Sequence, residues 1–121
     1  MPPSEFQVQF LRPILQRLKE CIQKKQYGIR NTKKNRDTLA HFGWTIENQE
    51  SILLNLQPAD CYHVDENLDR PDSEEYVYKF HKSYEGRLLY IKLTFQILIM
   101  PDGQSEYADI MSLHIDDYDN A

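Results

Sequence analysis

The 121 residues include only two cysteines, four glycines and one tryptophan, and no apolar run approaches the roughly 20 residues a membrane-spanning helix needs. The longest candidate, residues 88–100, is interrupted by Lys92 and Gln96. Cys21 and Cys61 are too few and too far apart for a zinc site, and one possible bridge is a weak hint of export. The first five residues, Met-Pro-Pro-Ser-Glu, lack the basic start and apolar stretch of a secretory signal. These absences point to a reduced, cytoplasmic protein with no membrane segment. There is no internal repeat and no low-complexity tract. A chain this short holds one core, so a single domain over residues 1–121 is expected. With 40% hydrophobic and 27% charged residues it is neither a disordered chain nor a collagen-like repeat.

Positive charge is scarce in the second half. Residues 1–59 carry nine Lys/Arg and five Asp/Glu, a balance of +4, whereas residues 60–121 carry five and fourteen, a balance of −9. The nine basic residues of the first half all fall between Arg12 and Arg36, with Glu20 the one acid among them. Such a cluster can gather phosphate even on an acidic molecule; it can equally be a solvated helix face, and charge alone favours the latter.

Helices come first. Ser4-Glu5-Phe6-Gln7 has the form of a capping box, and Phe6, Phe10, Leu11, Ile14, Leu15, Leu18 and Ile22 then recur at helical spacing. Pro13 within that run predicts a kink or break near Arg12, and Gly28 is a plausible terminator. A second helix is expected from Asn31 or Thr32 to Gly43, turning Leu39 and Phe42 inward. A third begins at Thr45, a good N-cap, and carries Ile46, Ile52, Leu53 and Leu56 toward the core before Pro58. Trp44 reads as a hydrophobic contact at the start of that helix. Residues 57–73 are acidic, contain two prolines and show no period, which predicts an irregular loop.

From Glu74 the period becomes two. Tyr76, Val77, Tyr78 and Phe80 suggest a strand, residues 83–87 a hairpin connection, and Leu89, Ile91, Leu93, Phe95 and Ile97 the apolar side of a second strand. Pro101-Asp102-Gly103 marks a turn, and Asp109 to Ile115 supplies a third strand with Met111, Leu113 and Ile115 inward. The fold class is therefore α+β: about three N-terminal helices packed on one face of a C-terminal antiparallel sheet of three or slightly more strands.

Strand alternation then sends Tyr90, Lys92, Ser112 and His114 to the uncovered face, with Lys79 and His81 beside them. Cleaving RNA without a metal takes a proton from the ribose 2′-hydroxyl, gives one to the 5′-oxygen, and needs cations near the phosphoryl oxygens. Histidine, lysine and tyrosine can share those tasks. Polar side chains face outward on most half-exposed sheets, so pattern alone also allows a merely solvated face. His63 beside Asp65 and Glu66 is a loose set, read as chance rather than a metal site, and no cofactor is expected. Cys61 has no base near it in sequence, so a nucleophile is not expected there.

Four segments, HFGWTIENQESILLNLQPADCY (41–62), YVYKFHKSYEG (76–86), YIKL (90–93) and MSLHI (111–115), together resemble the MqsR family of small bacterial toxins, a branch of the RelE-type mRNA interferases. The resemblance covers about two-thirds of the chain. It implies a toxin with metal-independent endoribonuclease activity on mRNA, free or on the ribosome, and a cognate antitoxin as partner. By motif position it implies catalytic roles for His114, Lys92, Tyr90 and Lys82, and places Tyr62 at the tyrosine closing the third-helix motif. His81 stands where the motif carries glycine. Under this reading Lys79, His81, Lys24, Lys25, Arg30, Lys33, Lys34 and Arg36 guide the RNA. The competing expectation is a non-catalytic module that binds a protein through its acidic C-terminal half or a strand edge.

Overall fold

Leu11, Ile14, Leu18 and Ile22 share one side of a helix, and that side is buried to 7% exposure or less. In the computed structural model, which describes residues 5–66 and 75–116, they belong to α1, Glu5–Gln23. Ser4 lies outside the described residues. Pro13 sits inside α1 and neither breaks nor ends it. Both Pro13 and Gln9, whose carbonyl loses the bond a proline cannot donate, are exposed, so water can serve that carbonyl while the buried side holds the helix together. The helix ends earlier than Gly28. Lys25 turns left-handed at φ 59° while its N–H donates to the Ile22 carbonyl and the Gln26 N–H to the Cys21 carbonyl.

Gly28 lies instead in β1, Tyr27–Ile29. A Cβ there would stand 2.0 Å from the Tyr107 hydroxyl oxygen, so the bare backbone makes room for that ring. The next two helices start and stop as their caps predict. α2, Lys33–Phe42, opens with the Thr32 hydroxyl accepting from the Asn35 N–H and closes on Gly43 at φ 65°. α3, Ile46–Leu54, opens with a reciprocal Thr45–Asn48 capping box. Their burial departs from expectation: Leu39 and Ile46 are exposed, and α2 buries Asn35 and Thr38. Trp44 does pack at the start of α3, stacked on Phe42 and edge-on to Tyr84.

Among the described residues the sheet has five strands, where three or slightly more were expected. β2 is Cys61–Glu66, β3 Tyr76–Tyr84, β4 Arg87–Met100 and β5 Gly103–Ile115, in the order β1-β5-β4-β3-β2. Only β1 runs parallel to its neighbour, so the sheet is mixed. β2 lies within the stretch 57–73 expected to be an irregular loop, of which residues 67–73 lie outside the described residues. The β3–β4 connection is the expected tight hairpin, with Glu85 and Gly86 both at positive φ.

β1 pairs with β5 only from Ala108 to Ile110, and α2 serves the β5 edge beyond that point. The Asn35 side chain accepts from the Leu113 N–H and donates to the Met111 carbonyl, and the Thr38 hydroxyl accepts from the Ile115 N–H. Two buried polar residues thus do for β5 what a neighbouring strand would do. On one face, α1 and α3 join Tyr78, Phe80, Leu89, Ile91, Leu93, Phe95, Ala108, Ile110 and Leu113 in a single core.

Candidate active site on the open sheet face

Two irregularities set what the other face presents. Lys92 pairs with Ser112 but Leu93 pairs with Ile110, so Met111 is an extra residue in β5. That bulge reverses the alternation, which is why Ile110 and Leu113 both reach the core. Met111 is buried at the bulge instead of continuing the apolar row expected of it. Beyond it, Ser112 and His114 lie on the side of the sheet away from the helices, but His114 is buried there rather than uncovered as expected. A second shift, between Cys61 and His63, makes Tyr62 the extra residue of β2.

The register then builds two adjacent cross-strand rows. In the first, His81 of β3, Tyr90 of β4 and His114 of β5 lie directly opposite one another. Tyr62 extends this row, its ring stacked on His81 at 4.1 Å and 12°. The Tyr90 ring centroid is 6.1 Å from His81 and 5.4 Å from His114. In the second row His63, Lys79, Lys92 and Ser112 are partners in turn. Tyr90 and Lys92 are half-buried, and His114 is only 5% exposed. His114 Nδ1 lies 2.9 Å from the Ile115 carbonyl oxygen, which can only accept. Nδ1 therefore carries a proton, and in the neutral ring the lone pair sits on Nε2.

Carboxylates hold several of these side chains. Asp65 pairs with Lys79 at 2.6 Å and with His63 at 2.7 Å, so its carboxyl is held below the usual range, first by Lys79 and then by His63, while Lys79 is raised in turn. His81 Nε2 lies 2.9 Å from Asp116, which shares the β5 parity of His114. Desolvation, with Tyr90 beside it, pushes the Tyr62 hydroxyl up to about 12 even though the ring is 48% exposed. Lys92 has no ion pair among the described residues, which leaves its charge available to an arriving anion. Among the described residues no three His, Cys, Asp or Glu converge on a possible metal position.

Tyr90, Lys92 and His114 are thus brought together, with Lys79 and His81 next to them. Lys82 is not. It pairs in register with Leu89, a core residue, and its ammonium donates to the Asn55 carbonyl at 3.1 Å and to Asp60 at 3.3 Å on the helix side. One step along a strand from His81 reverses the face. The basic stretch is also largely engaged elsewhere. Lys25 binds Glu50, Lys33 binds Asp37, and Arg36 donates to the Asn31 carbonyl, while Lys24 and Lys34 are exposed. Arg30 reaches Asp109, the partner of Thr94 on the open-face side of β4. Sequence reading missed Asp65 as a clamp on Lys79, because the Tyr62 bulge erases the two-residue period of β2. Asp116 was visible only as part of an acidic run.

No protein-family model matches the chain, and no curated protein or solved structure matches it significantly.

Proposed function

We propose that this protein is a metal-independent endoribonuclease acting on mRNA, the toxin of a toxin–antitoxin pair. The observation that carries the reading is the pairing of Tyr90 opposite His114, with the ammonium of Lys92, which has no ion pair among the described residues, on the adjoining row of the sheet face away from the helices. In this reading His114 transfers a proton at the ribose or at the leaving oxygen, Lys92 balances phosphoryl charge, and Tyr90 positions the substrate by hydrogen bond or stacking. The motif resemblance to the MqsR family supports the same assignment. Induced expression tests it: growth arrest, with new RNA 5′ ends at a recurring sequence, is the expected result. Normal growth with intact transcripts, while the protein is soluble and folded, contradicts it.

A second reading has its own support. β3 accompanies β4 only as far as Leu93, so beyond that residue β4 is paired with β5 alone among the described residues. Ile97, Ile99 and Met100 are exposed on this arm. An apolar strand with an edge that has no partner among the described residues suits a protein partner. That reading predicts a stable complex and no RNA cleavage by the isolated chain.

A further inference from the structure

We infer that His81 is a second proton-transfer group of the open face, taking the 2′-hydroxyl proton while His114 protonates the 5′-oxygen of the same RNA phosphodiester. The inference rests on the endoribonuclease reading above and adds to it the half of the chemistry that one imidazole leaves unassigned. RNA transesterification needs two proton transfers on opposite sides of phosphorus. The two imidazoles lie on strands that flank β4, directly opposite each other across Tyr90. Two strand spacings put their backbones roughly 9–10 Å apart. The Tyr90 ring stands between the two imidazoles, 6.1 Å from His81 and 5.4 Å from His114, so the phosphodiester has to lie over that ring, with one imidazole on each side within hydrogen-bond reach of an in-line oxygen.

The partners of each ring assign the roles. Asp116 can only accept from His81 Nε2–H, so Nε2 carries a proton and the neutral ring offers Nδ1 as the base. The carboxylate then balances the positive charge that appears on His81 when it takes the proton. Tyr62, stacked at 4.1 Å, fixes the plane of the ring. His114 is anchored through Nδ1 to the Ile115 carbonyl and works through Nε2. The groups facing His81 are Tyr62 from β2, Tyr90 from β4 and Asp116 after β5, with Lys79 two residues along its own strand. In the step, O2′ loses its proton to Nδ1 of His81 and bonds to phosphorus. The P–O5′ bond breaks, and O5′ takes the Nε2 proton of His114, which enters the step as the doubly protonated imidazolium and leaves it neutral, still donating from Nδ1 to the Ile115 carbonyl. The products are a 2′,3′-cyclic phosphate and a 5′-hydroxyl, with no oxidant, reductant or added nucleophile consumed.

The test uses the purified full chain on two short RNAs, one with its ordinary 5′-oxygen and one with sulfur bridging at that position, a leaving group that departs without a proton. His81→Gln is expected to lose roughly 100-fold or more on both substrates and to lose the rise of kcat/KM on the acid side of the pH profile. His114→Gln is expected to lose as much on the oxygen substrate and to recover most of it on the sulfur one. Asp116→Asn keeps an acceptor for the ring, so it should lower kcat less, leave KM unchanged and retain the acid limb; it carries the test if His81→Gln does not fold. Wild-type rates in His81→Gln, or sulfur rescue of His81→Gln in place of His114→Gln, overturn the inference and leave the endoribonuclease reading standing. No cleavage of either RNA by the wild-type protein removes that reading, and the inference with it.

Discussion

At the scale of single residues, neighbours in sequence separate by face. His81 and Lys82 are adjacent, yet His81 stacks on Tyr62 over the open face and Lys82 reaches Asn55 and Asp60 on the helix side. The resemblance implies catalysis by Lys82; the geometry gives it a tether between β3 and the turn before β2. Lys82→Met is therefore expected to leave the rate of RNA cleavage within about twofold and to cost under about 1 kcal/mol in urea unfolding, the range for a partly exposed ion pair. A hundredfold loss of cleavage would return Lys82 to the site. Gly28 makes a different residue-scale claim. Gly28→Ala should cost about 1–3 kcal/mol, because the new methyl collides with the Tyr107 hydroxyl. Tyr107→Phe should restore part of that stability in the double variant, and thermal unfolding of the four proteins checks it. Additive losses would show that the collision is not the cause.

At the scale of elements, the deciding contacts are those that substitute for regular pairing. α2 buries Asn35 and Thr38 because β1 is too short to satisfy the whole β5 edge. Asn35→Ala leaves the buried Leu113 N–H and Met111 carbonyl without that partner, a loss of about 1–3 kcal/mol or more. Hydrogen exchange should show the Leu113 amide losing protection while amides of α1 stay protected. Equal loss throughout would mean that α2 is not a separate clamp. This element also shows what sequence can carry. The helix caps at Thr32, Thr45 and Gly43 were legible because capping is local, and the alternation of Leu89, Ile91, Leu93 and Phe95 was legible because β4 is regular there. Leu39 points outward because α2 turns Asn35 and Thr38 to the β5 edge, a demand for acceptors that the hydrophobic pattern of the helix does not encode. β2 was missed because a bulge breaks its period, and Lys25 in place of a glycine concealed the end of α1. Of the candidate site, the shared sheet side of Tyr90, Lys92 and His114 was readable from alternation alone, but not the burial of His114. Asp65 and Asp116 were not, because pairing across strands depends on register.

At the scale of the whole molecule, the charge division seen in the sequence is spent largely on internal pairing. Arg17 of α1 binds Glu106 and Glu75, with its guanidinium 4.3 Å over the Phe95 ring. Glu50 is held below the usual carboxylate range, first by Lys25 and then by Tyr27, and Asp65 likewise by Lys79 and His63. Burial, then the hydrogen bond to Glu50, raises Tyr27. Carboxyls depressed in the folded state contribute stability above their unfolded values near pH 4, and it is lost as pH falls through the folded values. A phenol raised in the folded state contributes stability that is complete below its unfolded value near pH 10, and it is lost as pH rises through the folded one. The unfolding midpoint should therefore be nearly flat from about pH 5 to 9 and fall on both sides. Glu50→Gln and Asp65→Asn should shallow the acid fall, and Tyr27→Phe the alkaline one; unchanged slopes would contradict these pairings.

The central claim is that the open face itself breaks RNA, and the purified protein can answer it directly. The measurement is cleavage of a long RNA in excess EDTA by the wild type, His114→Gln and Lys92→Met, with the new 3′ ends analysed. The account predicts 2′,3′-cyclic phosphate ends from the wild type and a loss of roughly 100-fold or more in each variant. RNA left intact by the wild type, or cut equally well by both variants, would contradict it.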